Sequence, residues 1–349
     1  MRITALVKSR EHVCCRYRVS AYRASFEAAG HSLALRSWSG ASVLRQILPS
    51  WLGGAETLLV QRKLYSPWTL QLLRRRARWL LFDLDDAIFL RSSYHPDGID
   101  SPERLQQFKD MVQAADLVIA GNSFLRDHAS DWTDPAKIAL IPTCVEPARY
   151  PLAKHLDGGK PVKLAWIGSS STLRGLRRIA GLLDSLTDAV QGLQLRVICD
   201  RSLELEQLPV DFRFWSEASE ARDLAEADIG ISWLPDDLWS EGKCGLKVLQ
   251  YMAAGLPVIA NPVGMQKTLV RHGENGFLVE SAEEWRDAVR LLGRDPDLRR
   301  QMGRAGRARV EAEFAVARGA AAWRGILHSL GLASRPLVSS EAWMSPATI

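Results

Sequence analysis

Residues 241–264, EGKCGLKVLQYMAAGLPVIANPVG, carry the most specific pattern in this chain. They predict a glycine-bearing loop, a short helix, a tight Gly-Leu-Pro turn, a buried strand and a second loop. A helix that begins behind a glycine loop presents unpaired N–H groups and the positive end of its dipole, which suits a phosphate. Lys243 and Lys247 flank this helix start, and Gln250 follows one turn later on the face of Lys247. A basic loop entering an ordinary α/β helix is the alternative.

The rest of the chain alternates in the same way. Apolar runs of strand length alternate with helical periodicities, which is typical of parallel α/β domains. The predicted helices include Arg18–Ala29, Trp68–Ala77, Pro102–Ala114, Ser123–Ser130, Ala282–Leu292 and Pro296–Phe314. The predicted strands are Ile3–Val7, Thr57–Gln61, Trp79–Asp83, Leu117–Ala120, Ile138–Ile141, Val162–Ile167, Leu195–Cys199, Phe212–Trp215, Asp228–Trp233 and Pro257–Ala260.

Length and a break in this pattern divide the chain. A chain of 349 residues fits two domains of roughly 150–200 residues each. The pattern breaks near residues 142–151, and the polar segment 154–160 is typical of a linker. We therefore predict Rossmann-like domains over residues 1–155 and 156–315, a crossover helix over 316–330 and a loosely held tail over 331–349. Two such domains meeting edge to edge would leave a cleft at the carboxyl ends of both sheets, where parallel sheets bind ligands.

Composition and charge exclude several classes of protein. Hydrophobic residues make up 47% and charged residues 24% of the chain, and no apolar run reaches the roughly 20 residues that cross a bilayer. The N-terminal stretch predicts a strand, not a signal peptide. The five cysteines lack the spacing of a zinc site or a disulfide framework, which favours a reducing compartment. We therefore expect a cytoplasmic protein.

A net charge of +5 indicates anionic partners. The densest basic runs lie within residues 74–78 and 299–307, and for each a solvated helix face is the alternative to a docking patch. Peripheral contact with an anionic membrane, at the inner face of that membrane, is a hypothesis on this basis. No pattern indicates specific recognition of nucleic acid.

In the second half, polar residues follow two of the predicted strands. Gly168 and Ser169 stand between a strand and a helix, where glycine permits close backbone approach and the N–H and hydroxyl groups can donate to a phosphate. A plain helix cap is the alternative. Trp215 and Glu217 end another strand, and an aromatic loop there can hold a nucleobase by stacking. Core packing of Trp215 is an equal alternative.

In the first half, three strand ends carry polar residues. Arg16 and Arg18 enter a helix after the first strand, either as ligands of an anion or as exposed helix cations. Three carboxylates at the end of another strand, which are costly to bury without a purpose, indicate general-base work or cation binding: Asp83, Asp85 and Asp86. A solvated loop of turn-forming aspartates is equally open. Asn122 follows a further strand, where it is a ligand or a helix cap.

The segment 241–264 resembles the nucleotide-sugar-binding signature of the family-4 retaining glycosyltransferases with the GT-B fold. The matching places of that signature, Glu…Phe-Gly-Leu…Glu-Ala-Met-Ala-x-Gly-x-Pro-Val, are taken here by Gly245, Leu246, Met252, Ala253, Gly255, Pro257 and Val258. The two glutamates of the family fall on Gly242 and Gln250, with Glu241 one residue out of register. The chain is similar to a subgroup with Gly-Lys-Cys, a following Lys and Gln-Tyr-Met-Ala.

This resemblance implies an α/β protein with the GT-B fold, in which two Rossmann-like domains face a central cleft. It implies transfer of a sugar from a nucleotide-diphosphate donor to a glycan or lipid-linked acceptor, with retention and without a metal or cofactor. The implied catalytic residues are Lys243, Lys247, Asp85 and Asp86. The implied donor-binding residues are Gly168, Ser169, Arg174, Trp215, Glu217, Cys244, Gly245, Leu246 and Gln250, and the implied acceptor-binding residues are Arg16, Arg18, Asp83 and Asn122.

Three other interpretations stay open on the sequence. The Asp-Leu-Asp run after a hydrophobic strand also resembles the haloacid-dehalogenase-type phosphatases, with Asp83 as nucleophile and Asp85 as acid/base. The chain lacks the Thr or Val that usually follows the second Asp of those phosphatases, and this interpretation leaves residues 160–330 unexplained. An Asp-x-Asp metal site of the other glycosyltransferase fold is the second alternative. Such a site usually follows a single nucleotide-binding domain, whereas this chain has a second full α/β half. With both family glutamates replaced, a degenerate GT-B nucleotide-binding protein without transferase activity is the third.

Overall fold

The computed structural model of the protein describes residues 1–39, 55–155 and 161–332. Its strands are β1 (Arg2–Val7), β2 (Ser32–Ser37), β3 (Thr57–Gln61), β4 (Trp79–Leu84), β5 (Leu117–Ala120), β6 (Ile138–Leu140), β7 (Lys163–Ile167), β8 (Gln194–Cys199), β9 (Val210–Phe214), β10 (Ile229–Ser232), β11 (Val258–Ala260) and β12 (Gly276–Leu278). Its helices are α1 (Val13–Arg18), α2 (Arg23–Ala28), α3 (Pro67–Arg76), α4 (Pro102–Ala114), α5 (Ser123–Ser130), α6 (Ser170–Arg178), α7 (Ala180–Ser185), α8 (Glu220–Ala225), α9 (Leu238–Glu241), α10 (Leu246–Ala253), α11 (Met265–Leu269), α12 (Ala282–Arg294), α13 (Pro296–Arg309) and α14 (Val316–Leu332).

The described chain forms two compact units that exchange segments. Unit 1 contains Met1–Cys144, Asp237–Cys244 and the chain from Val316 onward, whereas unit 2 contains Val145–Asp236 and Gly245–Ala315. Each unit has a six-stranded sheet in which every pair of neighbours is parallel. Each is therefore a Rossmann-like α/β domain of the predicted kind.

The sheet of unit 1 has the strand order β2-β1-β3-β4-β5-β6. Strand β4 is buried along its whole length, because successive side chains enter opposite helical layers. Leu80 and Phe82 join the layer that contains Phe108 of α4, while Trp79 and Leu81 join the layer that contains Trp323 of α14. The order reverses between β1 and β3, so a ligand of this sheet is expected at their carboxyl ends.

The sheet of unit 2 has the order β12-β11-β10-β7-β8-β9. In chain order this is the 3-2-1-4-5-6 arrangement of dinucleotide-binding domains, and it reverses between β7 and β10. Its core includes Leu164 and Trp166 of β7 and Trp285 of α12. The loops after β7 and β10 therefore stand at the place where such sheets bind ligands.

The units depart from the predicted domains in two respects. The chain enters unit 2 at Val145 instead of residue 156, because Val145 pairs with Ala315 and donates its N–H to the Phe314 carbonyl. The short segment Asp237–Cys244, which lies between β10 and α10 in sequence, belongs to unit 1. The predicted crossover helix α14 also packs in unit 1, where the Trp323 ring lies 5.5 Å from that of Phe26. Residues 156–160 of the predicted linker and 333–349 of the predicted tail lie outside the described residues.

The predicted strands and helices are largely confirmed, and β2 and β12 were missed. β12 has only three residues and begins with Gly276, where a Cβ would lie 2.1 Å from the Val258 carbonyl oxygen. The predicted helix Arg18–Ala29 is interrupted, because Val19 adopts φ −128° and ψ −60° and separates α1 from a short 3-10 turn that leads into α2. Within the described ranges, the helices lack the combination of length and apolar character needed to cross a bilayer.

Candidate functional site

In unit 2 the predicted phosphate site is a helix start preceded by a left-handed glycine. Gly245 has φ +68° and leads directly into α10. A Cβ there would lie 2.4 Å from Cδ1 of Leu269, so both backbone conformation and packing require glycine. No side chain of the described residues caps this helix start. Its first turn therefore keeps the anion-binding character that the sequence predicts.

The structure places Lys247 beside the end of β7. Its Nζ lies 5.2 Å from the ring centroid of Trp166, within the range of a cation–π contact. Gly168 packs against the same tryptophan, since a Cβ at Gly168 would lie 2.5 Å from the Trp166 ring. Lys247 and the Gly168 loop are thus brought together around Trp166, at the switch point between β7 and β10. Sequence reasoning did not select Trp166, whose place at the end of a strand before a glycine was the available signal.

The loop after Gly168 satisfies part of its own hydrogen-bonding capacity. The Ser169 N–H donates to Oγ1 of Thr172 at 3.1 Å, and the Ser170 N–H donates to Oδ1 of Asp200 at 2.6 Å. A ligand phosphate that used the Ser170 N–H would have to displace the Asp200 carboxylate. Arg174 lies exposed on α6, in the turn after these groups.

The loop after β9 holds its aromatic side chain through a buried acid. Trp215 is half-buried, and its Nε1 donates to Oε2 of Glu220 at 2.8 Å. Glu217 pairs with Arg149 at 2.9 Å in an exposed ion pair. The indole is therefore held in one orientation, while the Glu217 carboxylate stays at the surface.

Gln250 is buried and contacts a tyrosine within unit 2. It is 3% exposed, and its Nε2 donates to the Tyr150 hydroxyl at 3.2 Å. Tyr150 is buried as well, at 3%. The predicted contact of Gln250 with the donor stays a prediction. The amide fixes Tyr150 within unit 2, a contact over 100 positions in sequence that no local pattern indicates.

In unit 1, Arg18 and Asp83 form a buried pair with each other. The Arg18 Nη2 lies 2.6 Å from Oδ1 of Asp83, and the side chains are 2% and 0% exposed. Arg18 also donates from Nη1 to the Ile141 carbonyl at 2.6 Å. Neither side chain reaches the surface, and the predicted acceptor contacts of both residues stay predictions. Arg16 remains half-buried, with its guanidinium 4.7 Å from the Tyr17 ring centroid.

The other two aspartates pair with cations at the carboxyl ends of β3 and β4. Arg62, which adopts a left-handed backbone at φ +49°, contacts both Asp85 and Asp86. Lys243 places its Nζ 2.9 Å from each carboxylate oxygen of Asp86 and 3.3 Å from the Trp239 ring centroid. Burial disfavours the charge on Asp86, but Lys243 and Arg62 outweigh it and lower the pKa of the carboxyl group. We refer to Arg62, Asp85, Asp86 and Lys243 as the charge cluster.

Close packing fixes the segment Asp237–Cys244 beside the charge cluster. A Cβ at Gly242 would lie 2.5 Å from the Cβ of Ala87, and a Cβ at Gly121 would lie 2.5 Å from Sγ of Cys244. Asn122 caps α5 through its Oδ1, and its Nδ2 donates to the carbonyls of Glu241 and Lys243. Cys244 is part of the core of unit 1, so its predicted role as a donor ligand is not supported. Asn122 likewise supports the segment.

The phosphatase interpretation loses its nucleophile in this arrangement. The Asp83 carboxylate is sealed in the Arg18 pair, and Asp85 lies against Arg62 at 3.2 Å. Among the described residues, no group of three or more His, Cys, Asp or Glu side chains is placed to hold a metal ion. Asp83, Asp85 and Asp86 instead form ion pairs with arginine or lysine.

Comparison with known proteins gives a family match and a fold match. Residues 234–309 match the family described as Glycosyl transferases group 1. The chain is 37% identical over 87 residues to the trehalose synthase of Pyrococcus horikoshii, covering 25% of this chain and 21% of the relative. It is 26% identical over 246 residues to the alpha-maltose-1-phosphate synthase of Mycolicibacterium smegmatis, covering 59% and 61%. The chain thus spans between one-fifth and three-fifths of the length of these curated relatives.

The fold match extends over nearly the whole chain. The structure of Anabaena Alr3699/HepE in complex with UDP and glucose aligns with a TM-score of 0.69 at 15% identity, covering 94% of this chain and 100% of that one. At that identity the likeness shows the fold alone, and it agrees with the two parallel sheets described above. Residues 234–309 therefore carry the Glycosyl transferases group 1 match within a chain that has the two-domain GT-B fold.

Proposed function

We propose that this chain is a glycosyltransferase that moves a sugar from a nucleotide-diphosphate donor. The observation that supports this most is the arrangement in unit 2 of Lys247, Trp166, Gly168 and the uncapped start of α10. It stands at the switch point of the sheet, and Lys247 and α10 lie inside the segment that matches the glycosyltransferase family. A related fold binds UDP and glucose in Anabaena HepE.

The proposed mechanism uses positive charge at the leaving group. As the bond between sugar and diphosphate breaks, negative charge develops on the diphosphate. The Lys247 ammonium and the N–H groups of the first turn of α10 would stabilise that charge, which is the largest contribution such a site can make. The lysine and the helix dipole would serve in place of a metal ion. Retention at the anomeric carbon and membership of the family-4 subgroup are parts of this proposal that rest on the motif resemblance.

The acceptor is proposed to bind at the switch point of unit 1. The loops after β1 and β3 meet there, because Gln61 donates from Nε2 to the Cys14 carbonyl at 2.9 Å. Arg16 is the predicted acceptor residue that stays partly accessible at the start of this domain. A glycan or a lipid-linked precursor is the proposed acceptor, and a polysaccharide is the proposed product.

Lys247→Ala tests the donor site. We expect the variant to lose about 10²-fold or more in turnover of its nucleotide-sugar donor, since it lacks the group that stabilises the leaving diphosphate. Lys154→Ala is the matched control, because Lys154 is an exposed lysine of the same unit and its removal changes net charge equally. Initial rates with a panel of nucleotide sugars give the measurement. Equal turnover in wild type and Lys247→Ala would remove Lys247 from the mechanism.

A second measurement separates the remaining interpretations. EDTA should leave sugar transfer intact, whereas the phosphatase and Asp-x-Asp interpretations expect its loss with the divalent cation. Hydrolysis of the donor panel without an acceptor then separates a transferase from a degenerate GT-B protein. A donor that raises thermal stability without any turnover would favour the degenerate protein.

A further inference from the structure

Helix α3 of unit 1 exposes an aromatic side chain and a pair of cations on one face. Trp68 is 56% exposed in the first turn, and Arg75 and Arg76 are exposed in the last turn. Leu72 lies half-buried between them. Positions 68, 72, 75 and 76 fall on one side of a helix, while Leu70 and Leu73 face the core. We refer to Trp68, Leu72, Arg75 and Arg76 as the α3 face.

The arginines of the α3 face differ from three other arginines of the dense basic runs, Arg74, Arg299 and Arg307. Arg74 is tied to Asp116 at 2.9 Å. In the second basic run, Arg299 is 3% exposed and donates to the Leu292 carbonyl, while Arg307 donates to the carbonyls of Tyr150 and Ala253. Within the described part of the chain, by contrast, no ion pair or hydrogen bond engages the side chains of Arg75 and Arg76.

The sequence around the α3 face strengthens its positive charge. Residues 57–82 contain no aspartate or glutamate. Asp116 pairs with a residue of this helix, but its partner is Arg74. The two free guanidinium groups therefore keep their attraction for an external anion, within the roughly 10 Å over which charge acts at moderate salt.

We propose that the α3 face docks on an anionic lipid surface. The Trp68 ring suits the boundary between headgroups and acyl chains, and Leu72 beside it adds apolar area. Arg75 and Arg76 meet the anionic headgroups, while their methylene stems follow the apolar side. A nucleic acid backbone would use the cations but gain little from Leu72, so the combination favours lipid. This contact goes beyond the proposed sugar transfer and does not depend on it.

Co-sedimentation of the full chain with vesicles tests the proposal. We expect binding to phosphatidylcholine vesicles that contain phosphatidylglycerol at low salt, and its loss at high salt or on pure phosphatidylcholine. Arg75→Gln with Arg76→Gln should lower the partition coefficient about 25-fold, at about fivefold for each arginine. Trp68→Ala should lower the partition coefficient several-fold at low salt.

Matched variants in unit 2 provide the controls. Arg177 and Arg178 form an exposed pair in the last turn of α6, the same position that Arg75 and Arg76 have in α3. Phe214 is an exposed aromatic residue, at 70%. Arg177→Gln with Arg178→Gln, and Phe214→Ala, should bind vesicles as wild type does. Hydrolysis of a soluble donor should be the same in the α3 and control variants, which separates this proposal from the proposed catalysis.

Three outcomes would overturn the proposal. Wild-type protein that stays in the supernatant with anionic vesicles has no lipid site of this kind. An equal loss in the α3 pair and the α6 pair would show that net charge alone governs binding. Binding of double-stranded DNA that weakens in the α3 variants, with no binding of vesicles, would assign the face to a soluble polyanion.

Discussion

At Asp86 one carboxylate meets two cations, and this pairing changes what Lys243 is expected to do. The sequence presents Lys243 as a ligand of the leaving diphosphate, because it precedes a helix start. In the structure its ammonium lies on Asp86 and over Trp239, and both partners belong to unit 1. Lys247, four positions later in sequence, belongs to unit 2. The two lysines therefore have separate surroundings.

Asp86→Asn tests the structural part of the charge cluster. The change leaves Arg62 and Lys243 with a neutral partner. The side chain of Arg62 is 25% exposed and that of Lys243 is 22% exposed. We expect a loss of about 2 kcal/mol in the free energy of unfolding by urea, below the roughly 3–5 kcal/mol of a fully buried pair. Asp127→Asn removes the exposed pair with Arg126 in the same unit and should cost less than about 0.5 kcal/mol. Equal small losses would mean that the charge cluster contributes nothing to stability.

Residue types alone could not separate site residues from structural ones. The position of Gly245 and Lys247 at a helix start was predictable, because the features of a helix start are local. The roles of Cys244 and Gln250 depend on Gly121 and Tyr150, which lie far away in sequence. Asp83 and Arg18 similarly form a pair over 65 positions. No spacing rule within one segment reveals such contacts.

Strands and helices that contain long apolar runs were predictable from the sequence. Contacts that depend on the close approach of two backbones were not. Strand β4 is apolar for five of its residues and is buried throughout. Helix α13 was predicted from its periodicity, but the pattern does not explain its internal glycines. Gly303 lies against the turn after α10, where a Cβ would be 2.0 Å from the Gly255 carbonyl oxygen.

Gly303→Ala tests this helix contact. The methyl group would force α13 away from a backbone carbonyl, which cannot move as a side chain does, so we expect a loss of about 2–3 kcal/mol in unfolding free energy. Gly181→Ala in α7 is the control, because nothing lies within 4 Å of its Cβ position. That change should instead add about 0.5–1 kcal/mol through helix propensity. A neutral Gly303→Ala would contradict the close packing of α13 on this turn.

Over the whole molecule, the parallel α/β character followed from the alternation of strand and helix patterns, and the number of domains followed from the chain length. The exchange of segments between the units did not, because it reflects which side chains pack together, not their local pattern. Gly242 and Cys244 fit against Ala87 and Gly121, and this complementarity assigns Asp237–Cys244 to unit 1. The sequence placed the same residues in the donor motif. The motif resemblance therefore did not predict the surroundings of each motif residue.

Part of the acid sensitivity of this chain is expected from histidines whose pKa the fold lowers, among them His12. Burial, with Lys8 and Arg62 nearby, lowers the pKa of His12 to about 4, and its Nδ1 accepts the Cys14 N–H as the cap of α1. The folded state therefore favours neutral His12, and the unfolded chain binds a proton first as pH falls below about 6.5. Stability from this residue is fully present above that pH and is lost as pH falls toward 4.

His12→Asn should make the acid profile of stability shallower. Asparagine can cap α1 without titrating, so the variant lacks the proton linkage but keeps the hydrogen bond to Cys14. Between pH 6.5 and pH 4 we expect wild type to lose about 1–2 kcal/mol more than the variant, after allowance for solvent screening of a half-buried group. Urea unfolding across this range gives the measurement, with a pH above 7 as the reference for the cap itself. His155, whose pKa burial also lowers, is present in both proteins, so some acid sensitivity should persist in the variant. Parallel pH profiles would show that the His12 imidazole is not held neutral by the fold.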